Sequence, residues 1–481
     1  MLDEDDQDLM RAVARYLEHV NALQQRELLT VRTPLGDVIS AHLGVDATQV
    51  AVVQELIADH RLVDADIVLD LATSDSGGGL LGVSGGEQRL HNSMAELVSN
   101  PHTRFAPGPV DYAERATGPS TTRRVVAMGV RLLAFDGQPV ALTQRAASEE
   151  RGRPTAVLEV MGTDSATVSG FLAWLRHQMI QHSVLRGQVL SFNATQFGRG
   201  DAGVTFLTRP DVAGSDVILA DGVLDQIVQH VVGIGEHRDM LREAGQHLKR
   251  GVLLYGPPGT GKTLTVRHLL TRTEGTTVVL LAGSGIRFIS AAAEIARTFQ
   301  PSIVVLEDID LVAMERHTSP QPLLFEVLEA LDGLDGDADV AFVMTTNRVD
   351  VLERALAERP GRVDLAVEVP LPERAERERL FRHYSREIGF SEDVLSEAAG
   401  NTEGVTGSFA KELIRRSVLT AAVAGEDVTD AHLVAALTDL MDGRQQLTRR
   451  MLGSTPSDTT DQPDDESGGT SFGWFAHQPL A

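Results

Sequence analysis

Short apolar segments alternate with helical patterns in the second half of the chain. Residues 217–230 and 237–246 have apolar positions at helical spacing. Four runs are nearly all apolar, at residues 251–255, 276–281, 302–306 and 340–345. Strands that are apolar on both faces are typical of a parallel sheet covered by helices. The pattern therefore predicts a large α/β domain over residues 216–372.

Three further helical patterns follow this layer, at residues 374–387, 406–423 and 429–441. They predict a small helical lid over residues 373–450. The remaining residues, 451–481, are rich in Ser, Thr, Asp, Gly and Pro. That composition is typical of a disordered tail.

The first half of the chain has weaker patterns. Apolar spacing predicts helices at residues 8–27 and 50–60, and so a helical region over residues 1–70. A mixed α/β domain is expected over residues 71–210. Strands are predicted at 124–135, 140–144, 155–161 and 187–192, a helix at 165–182, and flexible loops at the Gly-rich segment 76–86 and at 100–120.

Composition narrows the function classes. The chain has 68 acidic and 43 basic residues, a net charge of −25, which disfavours binding to nucleic acid or to anionic membranes. It has no cysteine, which excludes disulfides, thiolate metal sites and cysteine nucleophiles. Its apolar runs are too short to span a bilayer, and the acidic start of the chain lacks a signal-peptide pattern. We therefore expect a cytoplasmic protein without a membrane span.

A phosphate-binding loop follows the apolar run at 251–255. The motif G-x-x-x-x-G-K-[ST] is formed by Gly256, Pro257, Pro258, Gly259, Thr260, Gly261, Lys262 and Thr263, and a helical pattern begins at Leu264. Backbone N–H groups of such a loop, together with the helix N-terminus, bind phosphates. We expect Lys262 to contact the β- and γ-phosphates of ATP and the Thr263 hydroxyl to bind Mg²⁺. A Gly-rich turn that binds nothing is the alternative.

Two carboxylates stand at the end of the apolar run 302–306. Glu307 and Asp308 follow it directly. In an ATPase of this kind one carboxylate holds the Mg²⁺ shell and the next polarises the attacking water. The sequence therefore predicts Glu307 as a metal ligand and Asp308 as the catalytic base. A strand that simply enters a solvated loop is the alternative.

Thr346-Asn347-Arg348 and the segment Arg359-Pro360-Gly361-Arg362 resemble the second region of homology of AAA ATPases. The resemblance covers about residues 216–443. It implies that Asn347 orients the hydrolytic water, and that Arg359 and Arg362 reach the site of a neighbouring subunit in a homo-oligomeric ring, with a hexamer favoured. Surface ion pairs with Glu358 or Asp364 are the alternative for the two arginines.

Other segments suggest a branch of that family. Gly407-Ser408 resembles the lid segment that usually reads Gly-Ala and lies near the nucleotide. The order Glu307-Asp308 reverses the usual Asp-Glu and is similar to the branch that includes the mitochondrial translocase of the Rieske iron–sulfur protein. Without its transmembrane helix, a soluble relative is expected. Phe288 matches the position of a pore-loop aromatic residue but lacks the glycine, so packing against the following helix is the alternative.

The resemblance implies an enzyme that converts ATP and water to ADP and phosphate. The leading hypothesis is a ring-forming remodeller or translocase that acts on a protein partner selected by the N-terminal domain. The alternative is a nucleotide-gated binding or scaffold module with slow or absent hydrolysis, suggested by the reversed acidic pair. A DNA loader is disfavoured by the excess of acidic residues.

Overall fold

The computed structural model describes residues 32–148, 152–193, 203–310, 336–349 and 363–442, with the isolated positions 13, 15, 16 and 329. Contacts divide the chain into two compact units. The first consists of Met1–Leu185 and Asn193–Phe206, and the second of Arg186–Phe192 and Leu207–Ala481. The predicted tail lies outside the described residues, as does the predicted helix at 8–27 apart from three positions.

The first unit is built on an antiparallel sheet. Its strands are β1 (Val52–Ile57), β2 (Gly79–Ser84), β3 (Ala106–Gly108), β4 (Asp111–Ala116), β5 (Thr122–Phe135), β6 (Gln138–Arg145) and β7 (Ala156–Gly162). They run in the order β1-β7-β6-β5-β2-β3, and β4 pairs with β5. Its helices are α1 (Pro34–Leu43), α2 (Leu62–Asp75), α3 (Met94–Val98) and α4 (Ser165–Gln181).

Both faces of this sheet are covered. Successive side chains of a strand point to opposite faces, so Val140 and Leu142 belong to one buried cluster and Ala141 to the other. Helices α2 and α4 contribute to the first cluster, and α1 and α3 to the second. The predicted strands at 124–135, 140–144 and 155–161 and the helix at 165–182 are confirmed.

Three predictions for this unit are wrong. The predicted helix at 50–60 is strand β1, which pairs with β7 from Val52↔Met161 to Ile57↔Ala156, so the region 1–70 is not wholly helical. The expected loop at 76–86 contains β2, and that at 100–120 contains β3 and β4. At Gly82 a Cβ atom would lie 1.7 Å from the Pro109 carbonyl oxygen. Close approach of the backbones, rather than flexibility, explains this glycine.

His60, just before α2, gives this unit a pH-dependent stability. Burial, helped by the charge of Arg61, lowers the pKa of His60 to about 4. The unfolded chain takes up this proton below pH 6.5 and the folded chain does not, so stability decreases as the pH falls from 6.5 to 4. Between pH 7 and pH 5 we expect a loss of about 1–2 kcal/mol that His60→Asn removes.

Trp174 packs against the core of this unit and reports on its unfolding. Urea titrations followed by tryptophan fluorescence, with Trp474→Phe as the common background, measure the free energy of unfolding at both pH values. If the free energy of unfolding depended on pH equally with His60 and with His60→Asn, a lowered pKa of His60 would be contradicted.

The second unit contains a parallel sheet. Its strands β8 (Val189–Asn193), β10 (Arg250–Tyr255), β11 (Thr277–Ala282), β12 (Ser302–Glu307), β13 (Val340–Thr346) and β14 (Leu365–Glu368) run in the order β14-β10-β13-β12-β11-β8. Strand β9 (Gly203–Leu207) spans the division between the units. The four apolar runs predicted as strands are confirmed. The strand predicted at 187–192 exists, but as β8 it pairs with β11 of this sheet.

Before the phosphate loop, the first helical segment begins and ends later than predicted, and the second is shorter than predicted. Helix α5 (Val223–Val228) continues as a π-helical turn (Gln229–Gly233), and α6 (Ile234–Glu236) and α7 (Arg238–Glu243) follow. After the loop come α8 (Lys262–Arg272) and α9 (Ile289–Thr298). The sheet and its helices agree with the predicted P-loop fold. None of the described helices is long and apolar enough to cross a membrane.

The lid has four helices in the described part of the chain. They are α10 (Arg374–Tyr384), α11 (Glu392–Gly400), α12 (Gly407–Ala424) and α13 (Asp430–Met441), and they share one buried apolar cluster. The predicted helices match α10, α12 and α13. Helix α11 escaped the pattern because it is short, although the Ser391 side chain caps it. The predicted limits of the domains stay predictions.

Candidate functional site

The loop after β10 is closely surrounded on two sides. Gly256 has a φ of 142°, and a Cβ there would lie 2.3 Å from the Val369 carbonyl oxygen. Gly259 has a φ of 77°, and a Cβ there would lie 2.8 Å from the Ser408 hydroxyl. Only glycine fits both positions. The loop therefore passes between the end of β14 and the start of lid helix α12.

Lys262 is the first residue of α8 and is held inside the loop. Its ammonium donates hydrogen bonds to the carbonyl oxygens of Gly256 at 2.7 Å and Pro257 at 2.8 Å. Burial lowers the pKa of Lys262 to about 8, against the opposite effect of Asp308 and Asp310. The loop thus holds a cation where the motif predicts contact with phosphates.

Thr263 and Glu307 are brought together between α8 and β12. The Thr263 side chain is close enough to the Glu307 carboxylate to lower the pKa of Glu307. Burial raises the pKa of Glu307, and the neighbouring Asp308 raises it further, while Thr263 and Arg267 act in the opposite direction. A hydroxyl and a carboxylate side by side are oxygen ligands of the kind that Mg²⁺ prefers.

Asp308 lies in the left-handed region of backbone conformation, with a φ of 51°. Its N–H donates to the Thr345 hydroxyl at 3.0 Å, and the Asn347 side-chain amide donates to its carboxylate at 3.1 Å. Burial, then the charge of Asp310, raises the pKa of Asp308. The carboxylate is therefore fixed against Asn347, across the adjacent ends of β12 and β13.

Asp310, just after β12, binds the end of β13. It is 5% exposed and accepts hydrogen bonds from the Thr346 hydroxyl at 2.9 Å and from the Asn347 N–H at 3.2 Å. Sequence reasoning missed Asp310 and Thr345 as parts of the site. Their contacts depend on the parallel pairing of β12 with β13, which juxtaposes two segments far apart in sequence.

A cavity of about 560 Å³ connects the loop to the lid. Among its lining residues are the predicted Pro258, Gly259, Thr260, Gly261, Lys262, Thr263, Leu264, Asp308, Asn347, Gly407 and Ser408. The Ser408 N–H donates to the Gly259 carbonyl oxygen at 3.2 Å, which ties the lid to the loop. Arg359 and Arg362 lie outside the described residues.

The cavity also has an apolar part to its lining. Val217, Ile218 and Leu219 line it before α5, and Leu380 and Tyr384 line it from α10. Burial raises the pKa of Tyr384. The spacing of four residues between Leu380 and Tyr384, which puts both on one face of α10, was the signal available in the sequence. The cavity thus combines polar lining from the loop with apolar lining from these two segments, and apolar lining suits a planar base.

Phe288 packs against an aromatic ring. It stacks on Phe192 of β8 with 5.5 Å between ring centroids and 25° between planes, and the Arg287 guanidinium lies 4.8 Å from its centroid. This contact favours a packing role, as the alternative for Phe288 held, although its partner is β8 and not the following helix.

The described residues contain no group of three or more His, Cys, Asp or Glu side chains arranged to hold a metal. Mg²⁺ in nucleotide sites needs only one or two protein ligands besides phosphate oxygens and water. The pair Thr263 and Glu307 therefore fits a Mg²⁺ ion that enters with the nucleotide.

Comparison with known families fits this geometry. Residues 252–371 match the model of the ATPase family associated with various cellular activities (AAA). The matched range begins in β10, includes the loop, the acidic pair and Asn347, and ends just after β14. The chain contains an AAA ATPase domain. Membership of this domain family implies binding of ATP.

Similar proteins with curated names share this part of the chain. The proteasome-activating nucleotidase of Archaeoglobus fulgidus is 33% identical over 221 residues, which are 43% of this chain and 55% of that protein. That of Methanopyrus kandleri is 30% identical over 257 residues, 49% and 58% of the two chains. The 26S proteasome regulatory subunit 6A of Encephalitozoon cuniculi is 30% identical over 258 residues, 50% and 63%.

The chain therefore spans between half and two thirds of the length of these relatives. By sequence, the AAA domain of this chain is similar to the ATPases named above. The relation to the branch that includes the Rieske-protein translocase stays a prediction.

Proposed function

We propose that this chain binds Mg-ATP between loop and lid and hydrolyses it to ADP and phosphate. The observation that carries the proposal is the convergence of five side chains through hydrogen bonds and charge interactions at the carboxyl ends of β10, β12 and β13. These side chains are Lys262, Thr263, Glu307, Asp308 and Asn347. A phosphate loop by itself would indicate binding of a nucleotide but not its hydrolysis. The half-buried Asp308 carboxylate, which the Asn347 amide holds, adds the group that hydrolysis needs.

Each of these residues has a proposed task. Lys262 binds the β- and γ-phosphates, and the amides of the loop bind the remaining phosphate oxygens. Thr263 and Glu307 hold Mg²⁺, which neutralises phosphate charge when bound. Asp308 accepts the proton of the attacking water, and Asn347 orients that water.

The reversed order of the acidic pair is compatible with these tasks. Glu307, the longer residue, lies beside Thr263, and Asp308, the shorter, accepts a hydrogen bond from the Asn347 amide. Both carboxylates are thus near the partners that the respective roles require. The shorter base stands about one methylene further from its water, and slower turnover is the expected consequence.

We also propose that the chain works as a homo-oligomeric ring, with a hexamer favoured, that remodels or translocates a protein partner. Support comes from the match of Arg359 and Arg362 to residues that act in a neighbouring subunit. The names of the relatives, proteasome-activating nucleotidase and 26S proteasome regulatory subunit, favour a protein as target over nucleic acid. The net charge of −25 agrees with this. The N-terminal unit would select the partner.

The ring is tested by complementation. Arg359→Ala/Arg362→Ala keeps Lys262, and Lys262→Ala keeps both arginines. If the arginines act on the next subunit, mixing the two inactive variants restores part of the turnover of ATP, because some sites combine an intact loop with intact arginines. Turnover per chain of the wild type should also rise with protein concentration. A mixture as inactive as its components, with a constant wild-type rate, would refute catalysis between subunits.

The second candidate is a nucleotide-gated module with slow or absent hydrolysis, and the reversed acidic pair is the feature that favours it. Wild-type turnover below about one ATP per minute, unchanged in Asp308→Asn, would replace the first proposal with this one.

A further inference from the structure

Glu376 of helix α10 has a feature that the proposed roles do not explain. It lines the nucleotide cavity, and its Oε2 atom is buried. Among the described residues, no hydrogen-bond partner of this atom is found. A buried carboxylate oxygen without a donor costs free energy, and such atoms in folded proteins usually have a partner. The cavity is the place from which a donor can reach it.

The position of Glu376 on α10 also indicates that its side chain faces the cavity. Glu376, Leu380 and Tyr384 are four residues apart, so they share one face of the helix, and all three line the cavity. A Cβ on Gly407 would lie 3.7 Å from Leu380 and 3.4 Å from the Gly259 carbonyl oxygen. Leu380 is therefore next to the contact between lid and phosphate loop. Glu376 lies about 6 Å from Leu380 along the helix axis.

The chemistry of ATP limits what Glu376 can bind. With Mg²⁺ bound, the phosphates are almost fully ionised at neutral pH, so they offer acceptors and repel a carboxylate. The ribose hydroxyls and the 6-amino group of adenine carry O–H and N–H donors. An ionised carboxylate is acceptor-only. Of the two halves of ATP, the nucleoside is therefore the one that complements Glu376.

We propose that the Glu376 carboxylate accepts a hydrogen bond from an O–H or N–H donor of the bound nucleoside and so helps the site to select its nucleotide. The inference rests on the proposed binding of ATP at this site. It adds a lid residue, outside the motifs that carry the family resemblance, to the groups that recognise the ligand.

Equilibrium binding with four nucleotides tests the inference. The ligands are ATP, 2′-deoxy-ATP, 3′-deoxy-ATP and purine riboside triphosphate, which lacks the 6-amino group, each measured by calorimetry with Mg²⁺. The wild type should bind one of the three analogues about tenfold or more weakly than ATP, and the identity of that analogue names the donor. Glu376→Ala should bind ATP about tenfold more weakly and lose that preference.

Two further variants separate recognition from a structural effect. Glu376→Gln keeps an acceptor oxygen without the charge, so part of the preference should remain. Glu397→Ala removes an exposed glutamate of the lid helix α11 and should bind all four ligands as the wild type does.

Each result decides. A preference that is present in the wild type and lost in Glu376→Ala supports the proposal. An equal preference in both proteins, or none in a wild type that binds ATP, overturns it and leaves the proposed function standing. A wild type that does not bind ATP overturns the proposed function, and this inference with it.

Discussion

Replacing Lys262 by alanine should weaken binding of ATP by about 100-fold. The ammonium is buried in the loop and held by two carbonyl oxygens, at a point from which it can turn to phosphates. Hydrogen bonds from a cation to phosphate are among the stronger ones in proteins, and a lost group of this kind costs about 1.5–3 kcal/mol or more. Calorimetry with ATP and Mg²⁺ measures the change in Kd.

Lys249→Ala is the matched control, because Lys249 is close in sequence but does not line the cavity. It should bind ATP within about threefold of the wild type. Circular dichroism and thermal unfolding show that Lys262→Ala remains folded. Binding of ATP that is as tight in Lys262→Ala as in the wild type would mean that this loop does not hold the phosphates.

Replacing Asp308 by asparagine should lower ATP turnover by about 100- to 10,000-fold, the usual contribution of a general base. The substitution preserves the size of the side chain and its place beside Asn347. It removes the charge that accepts the proton of water. Binding of ATP should change little, because Asp308 is not assigned to the phosphates. Phosphate release at saturating Mg-ATP measures turnover, and calorimetry measures Kd.

Two further variants test this prediction. Asp308→Glu keeps a carboxylate at the same position and should retain turnover within about tenfold of the wild type. Glu307→Gln weakens the proposed Mg²⁺ ligand and should raise the Mg²⁺ concentration needed for half-maximal turnover. Normal turnover in Asp308→Asn would show that the water is activated by another group.

The core of the candidate site was predictable because its residues lie in short contiguous motifs. The glycines and Lys262 of the loop and the pair Glu307 and Asp308 each stand directly after an apolar strand. Asp310 and Thr345 were not predictable, because their tasks are hydrogen bonds between the ends of β12 and β13. Those bonds exist only once the two strands pair, and a local pattern does not encode pairing.

The first unit was harder to predict for a different reason. Strand β1 lies at an end of its sheet, and its mixture of Val, Gln, Glu and Leu also matches a helical pattern. The pairing with β7 decides its conformation. In β2 the glycines were attributed to a loop, whereas Gly82 permits close contact with the backbone at Pro109. Tertiary contacts therefore overrode local preference in both strands.

The most direct test of the account is the rate of phosphate release from ATP by the purified wild-type chain, with and without Mg²⁺, at a protein concentration high enough to favour assembly. The account predicts Mg²⁺-dependent turnover that is faster than about one ATP per minute per chain and is lost in Asp308→Asn. Tight binding of ATP with no Mg²⁺-dependent release of phosphate at any protein concentration would contradict it.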